Sequence, residues 1–392
     1  MNTVIPYGRQ NISEADVQAV VDVLRSDFLT QGNVVPAFER AVIQYCGVEH
    51  GIAVNSATSA LHIACLAIGV NKNDIVWTSP ISFVASANCA VYCSATVDFV
   101  DIDPLTYNMS VVALEEKLKE AKKKNKLPKV VIPVHLCGQS CDMEAIFALS
   151  KQYNFQIIED ASHAIGGRYR SKQIGNCEFS DITVFSFHPV KIITTGEGGM
   201  AVTNDAELAN KMQRLRSHGI TRNPTQMTQQ PDGPWYYQQI DLGFNYRMTD
   251  IQAALGLSQM LRIDEFVRDR HEIADLYNSL LQGLNLTTPW QHPDNYSAFH
   301  LYVVRVNKSN PVSHLEFFER LRTNGILVNL HYIPIYRQPF YKKMGFKTNK
   351  FPNAESYYSE AISLPIYPGL TKDQIEFITK VIKSPVNHQT IF

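Results

Sequence analysis

The sequence predicts an α/β protein with two domains: a large one built on a mainly parallel sheet, and a smaller C-terminal α+β domain. Short apolar runs alternate with amphipathic helical patterns from about residue 50 to 205, which is typical of βα crossover units. After residue 205 this alternation stops. A chain of 392 residues with 45% hydrophobic residues is long enough for two cores. We assign residues 1–250 to the large domain and 251–392 to a linking helix and the small domain.

Seven short apolar runs between helical patterns predict seven strands in the large domain. They are Gly51–Val54, Asp74–Trp77, Thr96–Val100, Val130–Val134, Phe155–Glu159, Ile182–Ser186 and Gly199–Val202. A helix over 13–26 precedes them, with Ser13 as its N-cap. A second helix, over 36–46, has Pro36 in its first turn and Gly47 as its stop. The alternation predicts a doubly wound sheet, in which ligands bind at the carboxyl ends of the strands.

Residues 222–239 are polar and broken by prolines, yet they contain Trp235, Tyr236 and Tyr237. Such a segment is either disordered or a functional loop, and we favour the loop. Thr249 then caps a long helical stretch, from Asp250 to about Leu281, that connects the two domains. The remaining pattern predicts the small α+β domain, with strands at 299–304 and 328–330 and helices at 315–324 and 372–383.

The composition argues against a protein that binds nucleic acid, a membrane or a metal. The net charge of −1 provides no field for nucleic acid or an anionic membrane, and the basic cluster 122–126 is expected to be a solvated helix end. Seven cysteines, mostly in apolar segments, are typical of free thiols in a reduced compartment. Cys137 and Cys141 have a metal-like spacing but no second pair, so we expect no metal site. Without a leader-like N-terminus or an apolar run of membrane length, we expect a cytoplasmic protein.

Lys191 and Asp160 are the strongest functional signal. Lys191 follows the predicted strand that ends at Ser186, and Asp160 directly follows the strand that ends at Glu159. A lysine amine can form a Schiff base with the aldehyde of pyridoxal phosphate. A carboxylate against the pyridine nitrogen keeps that nitrogen protonated, so that the ring can accept electrons. Either residue alone would be unremarkable on a protein surface, but the pair at two strand ends predicts pyridoxal phosphate chemistry.

A phosphate group needs backbone N–H groups and hydroxyls, which a helix N-terminus supplies. The small residues 55–60, Asn-Ser-Ala-Thr-Ser-Ala, follow the first predicted strand and open a helix over 61–68. They are either plain helix caps or, together with Ser186, a phosphate site. Phe83 is similarly open to two interpretations, as helix core or as an aromatic side chain that stacks on the cofactor ring.

Several motifs extend this pattern along nearly the whole chain. In order they are Leu29-Thr30-Gln31-Gly32, Asn55-Ser56-Ala57-Thr58, Glu159-Asp160-Ala161-Ser162-His163, Ser186 with Lys191, Thr194-Thr195-Gly196-Glu197-Gly198-Gly199, Arg216-Ser217-His218-Gly219, Gly243-Phe244-Asn245-Tyr246-Arg247-Met248 and Leu364-Pro365-Ile366-Tyr367. Together they resemble the sugar aminotransferases of the DegT/DnrJ/EryC1/StrS family. That family is a branch of the fold-type-I pyridoxal phosphate enzymes, so the resemblance implies a fold like that of aspartate aminotransferase.

The resemblance also implies roles for individual residues. Lys191 would hold the cofactor covalently and Asp160 would pair with its pyridine nitrogen. The other implied cofactor contacts are Ala57, Thr58 and Ser186 at the phosphate, Phe83 on the ring face, His163 at the ring hydroxyl, and Asn245 reaching the phosphate from a second subunit. Relatives usually carry glutamine where this chain has His163. The implied sugar nucleotide contacts are Tyr7, Thr30, Arg247, His331 and Tyr332.

Within the family, the chain looks most like the C4 aminotransferase of the pseudaminic acid pathway. This implies transfer of an amino group from L-glutamate to C4 of a UDP-4-keto-6-deoxy-N-acetylhexosamine, in a homodimer with shared active sites. Other keto sugars, dTDP- or GDP-linked and aminated at C3 or C4, remain open. So do two other classes, a sugar 3-dehydratase and a non-catalytic regulatory relative. Lys191 argues against the dehydratase, which carries histidine at that position. The presence of both Lys191 and Asp160 argues against a non-catalytic relative.

Overall fold

The computed structural model describes residues 4–384. Its strands are β1 (Ile5–Pro6), β2 (His50–Val54), β3 (Ile75–Thr78), β4 (Thr96–Phe99), β5 (Val130–Ile132), β6 (Gln156–Asp160), β7 (Arg168–Tyr169), β8 (Lys172–Gln173), β9 (Ile182–Ser186), β10 (Gly199–Thr203), β11 (Ile220–Thr221), β12 (Gln238–Gln239), β13 (Leu286–Thr287), β14 (Asn295–Tyr296), β15 (Tyr302–Val306), β16 (Ile326–Leu327) and β17 (Ala361–Leu364). The helices are α1 (Glu14–Leu24), α2 (Val34–Cys46), α3 (Ala57–Ala67), α4 (Ala85–Tyr92), α5 (Val111–Lys123), α6 (Met143–Tyr153), α7 (Ala206–Leu215), α8 (Asp250–Met260), α9 (Ile263–Leu280), α10 (His314–Thr323), α11 (Pro339–Lys342), α12 (Pro352–Glu360) and α13 (Lys372–Lys383).

All seven predicted strands of the large domain lie in one seven-stranded sheet, in the order β2-β10-β9-β6-β5-β3-β4. β10 pairs antiparallel with both β2 and β9, and the other neighbouring pairs are parallel. The carboxyl ends of six strands therefore lie at one edge of the sheet, together with the amino end of β10. The mainly parallel sheet is confirmed.

Helices cover both faces of this sheet. Residues of α3 and α4 pack on one face in a single apolar cluster. On the opposite face, α2 and α8 pack near β2 and β10, while α5 and α6 pack near β3 and β5. Burial on both faces explains why the central strands are continuous apolar runs, whereas the edge strand β4 alternates between buried and less buried residues.

The long stretch predicted from Asp250 to about Leu281 is helical, but it is divided into two helices. α8 ends at Met260 and α9 begins at Ile263. At the break, the Arg262 guanidinium donates to Asp16 Oδ2 at 2.7 Å, and Gln259 Nε2 donates to the same oxygen at 2.8 Å. These bonds to α1 are long-range, and neither glycine nor proline marks the break in the sequence.

The C-terminal part builds a small antiparallel sheet, in the order β13-β15-β17, against α9, α10 and α13. β1 pairs in parallel with β16, so Ile5 lies in this apolar cluster. The strand predicted at 299–304 begins only at Tyr302, and the one predicted at 328–330 is displaced to Ile326–Leu327. No helix within residues 4–384 is both long and apolar enough to cross a membrane.

Candidate active site

The ends of four strands bring the predicted cofactor residues to one edge of the sheet. Asp160 is the last residue of β6 and Ser186 the last of β9. Gly199, the first residue of β10, pairs with Ser186 on one side and with Val54 of β2 on the other. The edge therefore holds a carboxylate, a hydroxyl and the start of α3 next to one another.

Asp160 is a buried carboxylate whose two oxygens both accept hydrogen bonds. Ser86 Oγ of α4 donates to Oδ2 at 2.6 Å, and Ser162 Oγ donates to Oδ1 at 2.6 Å. The Ser162 backbone N–H also donates to Oδ1, at 3.2 Å. These hydroxyl and amide donors fix the orientation of the carboxylate. No sequence motif indicated that Ser86 contacts Asp160.

Lys191 lies in the loop 187–198 that joins β9 to β10. The base of this loop is closed by two backbone bonds, from Phe187 N–H to Gly198 at 2.9 Å and from Thr195 N–H to Phe187 at 3.0 Å. Burial lowers the pKa of Lys191 to about 8, although the charge of Asp160 acts to raise it. About a tenth of such an amine is unprotonated at pH 7, compared with fewer than about one in a thousand for an ordinary lysine. The amine is therefore a usable nucleophile near neutral pH.

Three histidines surround the Lys191 amine, and all are held in the neutral form. His300 Nε2 lies 3.4 Å from Lys191 Nζ, and the ring centroids of His300 and His163 are 4.4 Å apart. Burial, followed by the charge of Lys191, lowers the pKa of both residues well below the usual range. The same two causes lower the pKa of His331 to about 4. Positive charge near this amine is thereby kept low.

Aromatic side chains continue from these histidines towards solvent. His163 Nε2 lies 3.1 Å from the Tyr332 hydroxyl, and the Tyr332 ring lies 5.0 Å from that of His331. Tyr7 is 4.9 Å from His331, and Phe83 is 6.2 Å from Tyr332, between ring centroids. Phe83 is 57% exposed, so it is not part of a helix core. The predicted residues Tyr7, Phe83, His163, His331 and Tyr332 thus form one group with Lys191.

The start of α3 forms a cradle of small residues. Ser56 is the N-cap, and its hydroxyl accepts the Ser59 N–H. The amides of Ala57 and Thr58, in the first turn, have no intrahelical acceptor and can bind an anion. A Cβ added to Gly199 would lie against the Ala57 amide nitrogen and 2.5 Å from the Ser56 carbonyl carbon. Only glycine allows β10 to approach the cradle this closely.

Thr30, Asn245 and Arg247 lie apart from this group. Thr30 and Asn245 are exposed, and within residues 4–384 neither is hydrogen-bonded to Lys191 or Asp160. Arg247 forms a backbone bridge with Val54, which places it beside the cradle. Because His331 is neutral, Arg247 is the member of the predicted sugar nucleotide set that carries a positive charge at neutral pH.

Comparison with known proteins defines the class. The DegT/DnrJ/EryC1/StrS aminotransferase family model matches residues 10–383. The spore coat polysaccharide biosynthesis protein SpsC of Bacillus subtilis is 38% identical, with 98% of each chain covered. The UDP-4-amino-4,6-dideoxy-N-acetyl-beta-L-altrosamine transaminase of Campylobacter jejuni is 36% identical, with 97% of each covered. The structure of Helicobacter pylori PseC, an aminotransferase of pseudoaminic acid biosynthesis, has a TM-score of 0.87 at 32% identity and covers 97% of this chain and 98% of its own.

The chain belongs to the DegT/DnrJ/EryC1/StrS aminotransferase family. It is a pyridoxal phosphate-dependent enzyme that aminates a sugar nucleotide, and the predicted family, fold type and cofactor are confirmed. The residues at the sheet edge fit this cofactor: a buried amine of lowered pKa, a fixed carboxylate, and a cradle of unpaired amides.

Proposed function

We propose that this enzyme transfers the amino group of L-glutamate to C4 of a UDP-4-keto-6-deoxy-N-acetylhexosamine. The product would be a UDP-4-amino-4,6-dideoxy sugar for pseudaminic acid or a related surface glycan. The proposal rests on one observation: similarity over almost the entire chain to a transaminase and a solved aminotransferase whose names give this chemistry. We place the reaction in the cytoplasm, where seven free cysteines would stay reduced.

In this proposal the residues at the sheet edge each contact a different part of the cofactor. Lys191 would bind it covalently and Asp160 would hold a proton on its pyridine nitrogen. Phosphate would lie on Ala57, Thr58 and Ser186. Phe83 would cover the ring, and His163 would contact the ring hydroxyl, the position at which relatives usually carry glutamine. When bound, pyridoxal phosphate supplies an aldehyde that takes up the amino group and a ring that accepts electrons.

Lys191 would then carry out the proton transfers. Once the amino donor has displaced it, Lys191 Nζ would take the α-proton from glutamate. In the second half of the reaction, Nζ would deliver a proton to C4 of the sugar. An amine with a pKa of about 8 can act both as base and as acid near neutral pH.

The sugar nucleotide would lie among the aromatic residues. Tyr7, His331 and Tyr332 pack together beside the Lys191 group, where their rings would contact the sugar nucleotide. Arg247 would neutralise the diphosphate, because a guanidinium binds phosphate oxygens with two parallel hydrogen bonds. Thr30 would contribute from the exposed segment before α2. Since Asn245 is exposed, we propose that it completes the phosphate site of a second subunit.

The test is a product assay with defined substrates. Purified enzyme would be incubated with L-glutamate and the UDP-linked keto sugar, with the dTDP- and GDP-linked analogues in parallel. We expect 2-oxoglutarate and a UDP-4-amino sugar, identified by mass and by the proton couplings at C4, and no product with Lys191→Ala. Faster amination of a dTDP or GDP sugar would overturn the substrate, and amination at C3 would overturn the position.

A further inference from the structure

His300 is a buried histidine that none of the roles above includes. It is 3% exposed and lies two residues before β15, whose first pair is Tyr302 with Leu364. Its Nε2 lies 3.4 Å from Lys191 Nζ, while its Nδ1 is buried and has no hydrogen-bond partner within residues 4–384. One nitrogen of this ring therefore faces the reactive amine, and the other has no competing partner.

The charges around His300 decide which atom donates. The titratable groups that face it are Lys191, His163, Arg270 and His331, and none of them is an anion. Burial and these neighbours keep the imidazole neutral, so one ring nitrogen is free to accept. A Lys191 ammonium has only donors. When Lys191 is protonated, His300 Nε2 can only accept from it, and the ring proton lies on Nδ1, which is buried and has no acceptor within residues 4–384.

Arg270 holds the backbone of His300 in this place. Its guanidinium is 1% exposed, and Nη1 donates to the carbonyl oxygens of Phe299 at 3.2 Å, His300 at 3.3 Å and Ile366 at 3.0 Å. Three acceptors from two chain segments thus converge on one buried donor. These bonds fix the backbone from which the His300 imidazole extends towards Lys191.

We propose that His300 is a positioning residue for Lys191, which holds Nζ by accepting one of its hydrogens whenever the lysine is not bonded to the cofactor. This holds before the cofactor is captured and again while the lysine is displaced during turnover. The inference rests on Lys191 as the attachment residue, as proposed above, but not on the identity of the sugar.

The experiment measures cofactor capture by the full-length chain after removal of bound cofactor. Pyridoxal phosphate is added across a range of pH, and the rate is followed by absorbance. The wild-type rate should rise with pH to an inflection near 8. In His300→Phe the ammonium loses its acceptor, so the inflection should fall by about one pH unit. The limiting rate should also fall about tenfold, because the amine is no longer oriented.

Two amide variants separate positioning from packing. In His300→Gln the amide reaches the place of Nε2 and should restore both the inflection and the limiting rate. His300→Asn reaches only the place of Nδ1 and should resemble His300→Phe. As a matched control, His314 is a half-buried histidine that bonds to the Ala361 carbonyl at 3.0 Å, and His314→Phe should leave capture unchanged.

Wild-type capture by His300→Phe would overturn the proposal, and so would equal behaviour of the glutamine and asparagine variants. The comparison of the two amides decides the matter even if the phenylalanine variant fails to fold. Failure of the underlying assignment has a different outcome: Lys191→Ala would still form a cofactor adduct that borohydride traps on the protein.

Discussion

At the scale of single residues, the Asp160 carboxylate and the Lys191 amine have opposite kinds of surroundings. Asp160 accepts hydrogen bonds from Ser86 and Ser162, which fix its orientation. Lys191 is surrounded by neutral imidazoles and has its pKa lowered to about 8 by burial. The site therefore holds an oriented carboxylate and an amine that loses its proton readily, which a cofactor that joins an aldehyde to a pyridinium requires.

Replacing Asp160 by asparagine tests the charge without changing the shape. Oδ1 could still accept from Ser162, and the new amide could donate to the Ser86 hydroxyl, so we expect the fold and cofactor binding to persist. Turnover should fall by about a thousandfold or more, because an unprotonated pyridine is a poor electron sink. The measurement is kcat together with cofactor content by absorbance. Turnover within tenfold of wild type would show that a residue other than Asp160 pairs with the pyridine nitrogen.

At the scale of secondary structure, the contact between β10 and the start of α3 determines the shape of the phosphate cradle. The closest atoms to a Cβ on Gly199 belong to the backbone of Ser56 and Ala57, which cannot rotate away as a side chain can. Any larger residue must push the first turn of α3 off the sheet edge.

We therefore expect Gly199→Ala to destabilise the protein by about 2–3 kcal/mol, as overpacking does. It should also weaken cofactor binding at least about tenfold, because the α3 amides are displaced. Denaturant unfolding and cofactor titration measure the two effects. Gly8→Ala is the control for stability, since its Cβ would lie 3.5 Å from Val190, an ordinary contact, and its effect should stay within about 0.5 kcal/mol. Equal stability of the two variants would contradict this account of the cradle.

The sequence allowed prediction of those elements whose cause is local. Seven apolar runs became seven strands, and the central ones are buried on both faces, whereas the edge strand β4 has an exposed Thr96 and a half-buried Asp98. Lys191 and Asp160 could be found because chemistry concentrates at strand ends. The break between α8 and α9 could not be found, because it depends on bonds from Gln259 and Arg262 to a distant helix. The contact of His300 with Lys191 could not be predicted either, because the two residues are distant in sequence and His300 lies within an apolar run assigned to a strand.

At the scale of the whole molecule, the exposed Asn245 and the predicted homodimer depend on each other. We propose an isologous interface, in which each subunit lends the same segment to the other. Asn245 is exposed and forms a backbone bridge with Ser217, so its side chain is available to a neighbour.

Complementation between inactive variants tests this arrangement. Lys191→Ala would be mixed with Asn245→Ala under conditions of subunit exchange. Half of the dimers would be mixed, and each would hold one site that is wild-type in composition, so about a quarter of all sites should recover activity. Light scattering and activity would be followed together. An active monomer, or no recovery after verified exchange, would show that Asn245 does not serve a second subunit.

The position of β10 also affects how the protein is made. β2, which leads into the phosphate cradle, is the edge strand of the large sheet and pairs in it only with β10, far later in the chain. During synthesis the cradle emerges early and has no partner strand until residue 203 has been added. Such long-range closure is slow compared with helix formation. We therefore expect that nascent and partly folded chains cannot retain the cofactor. Added cofactor should then stabilise only chains that are complete and folded.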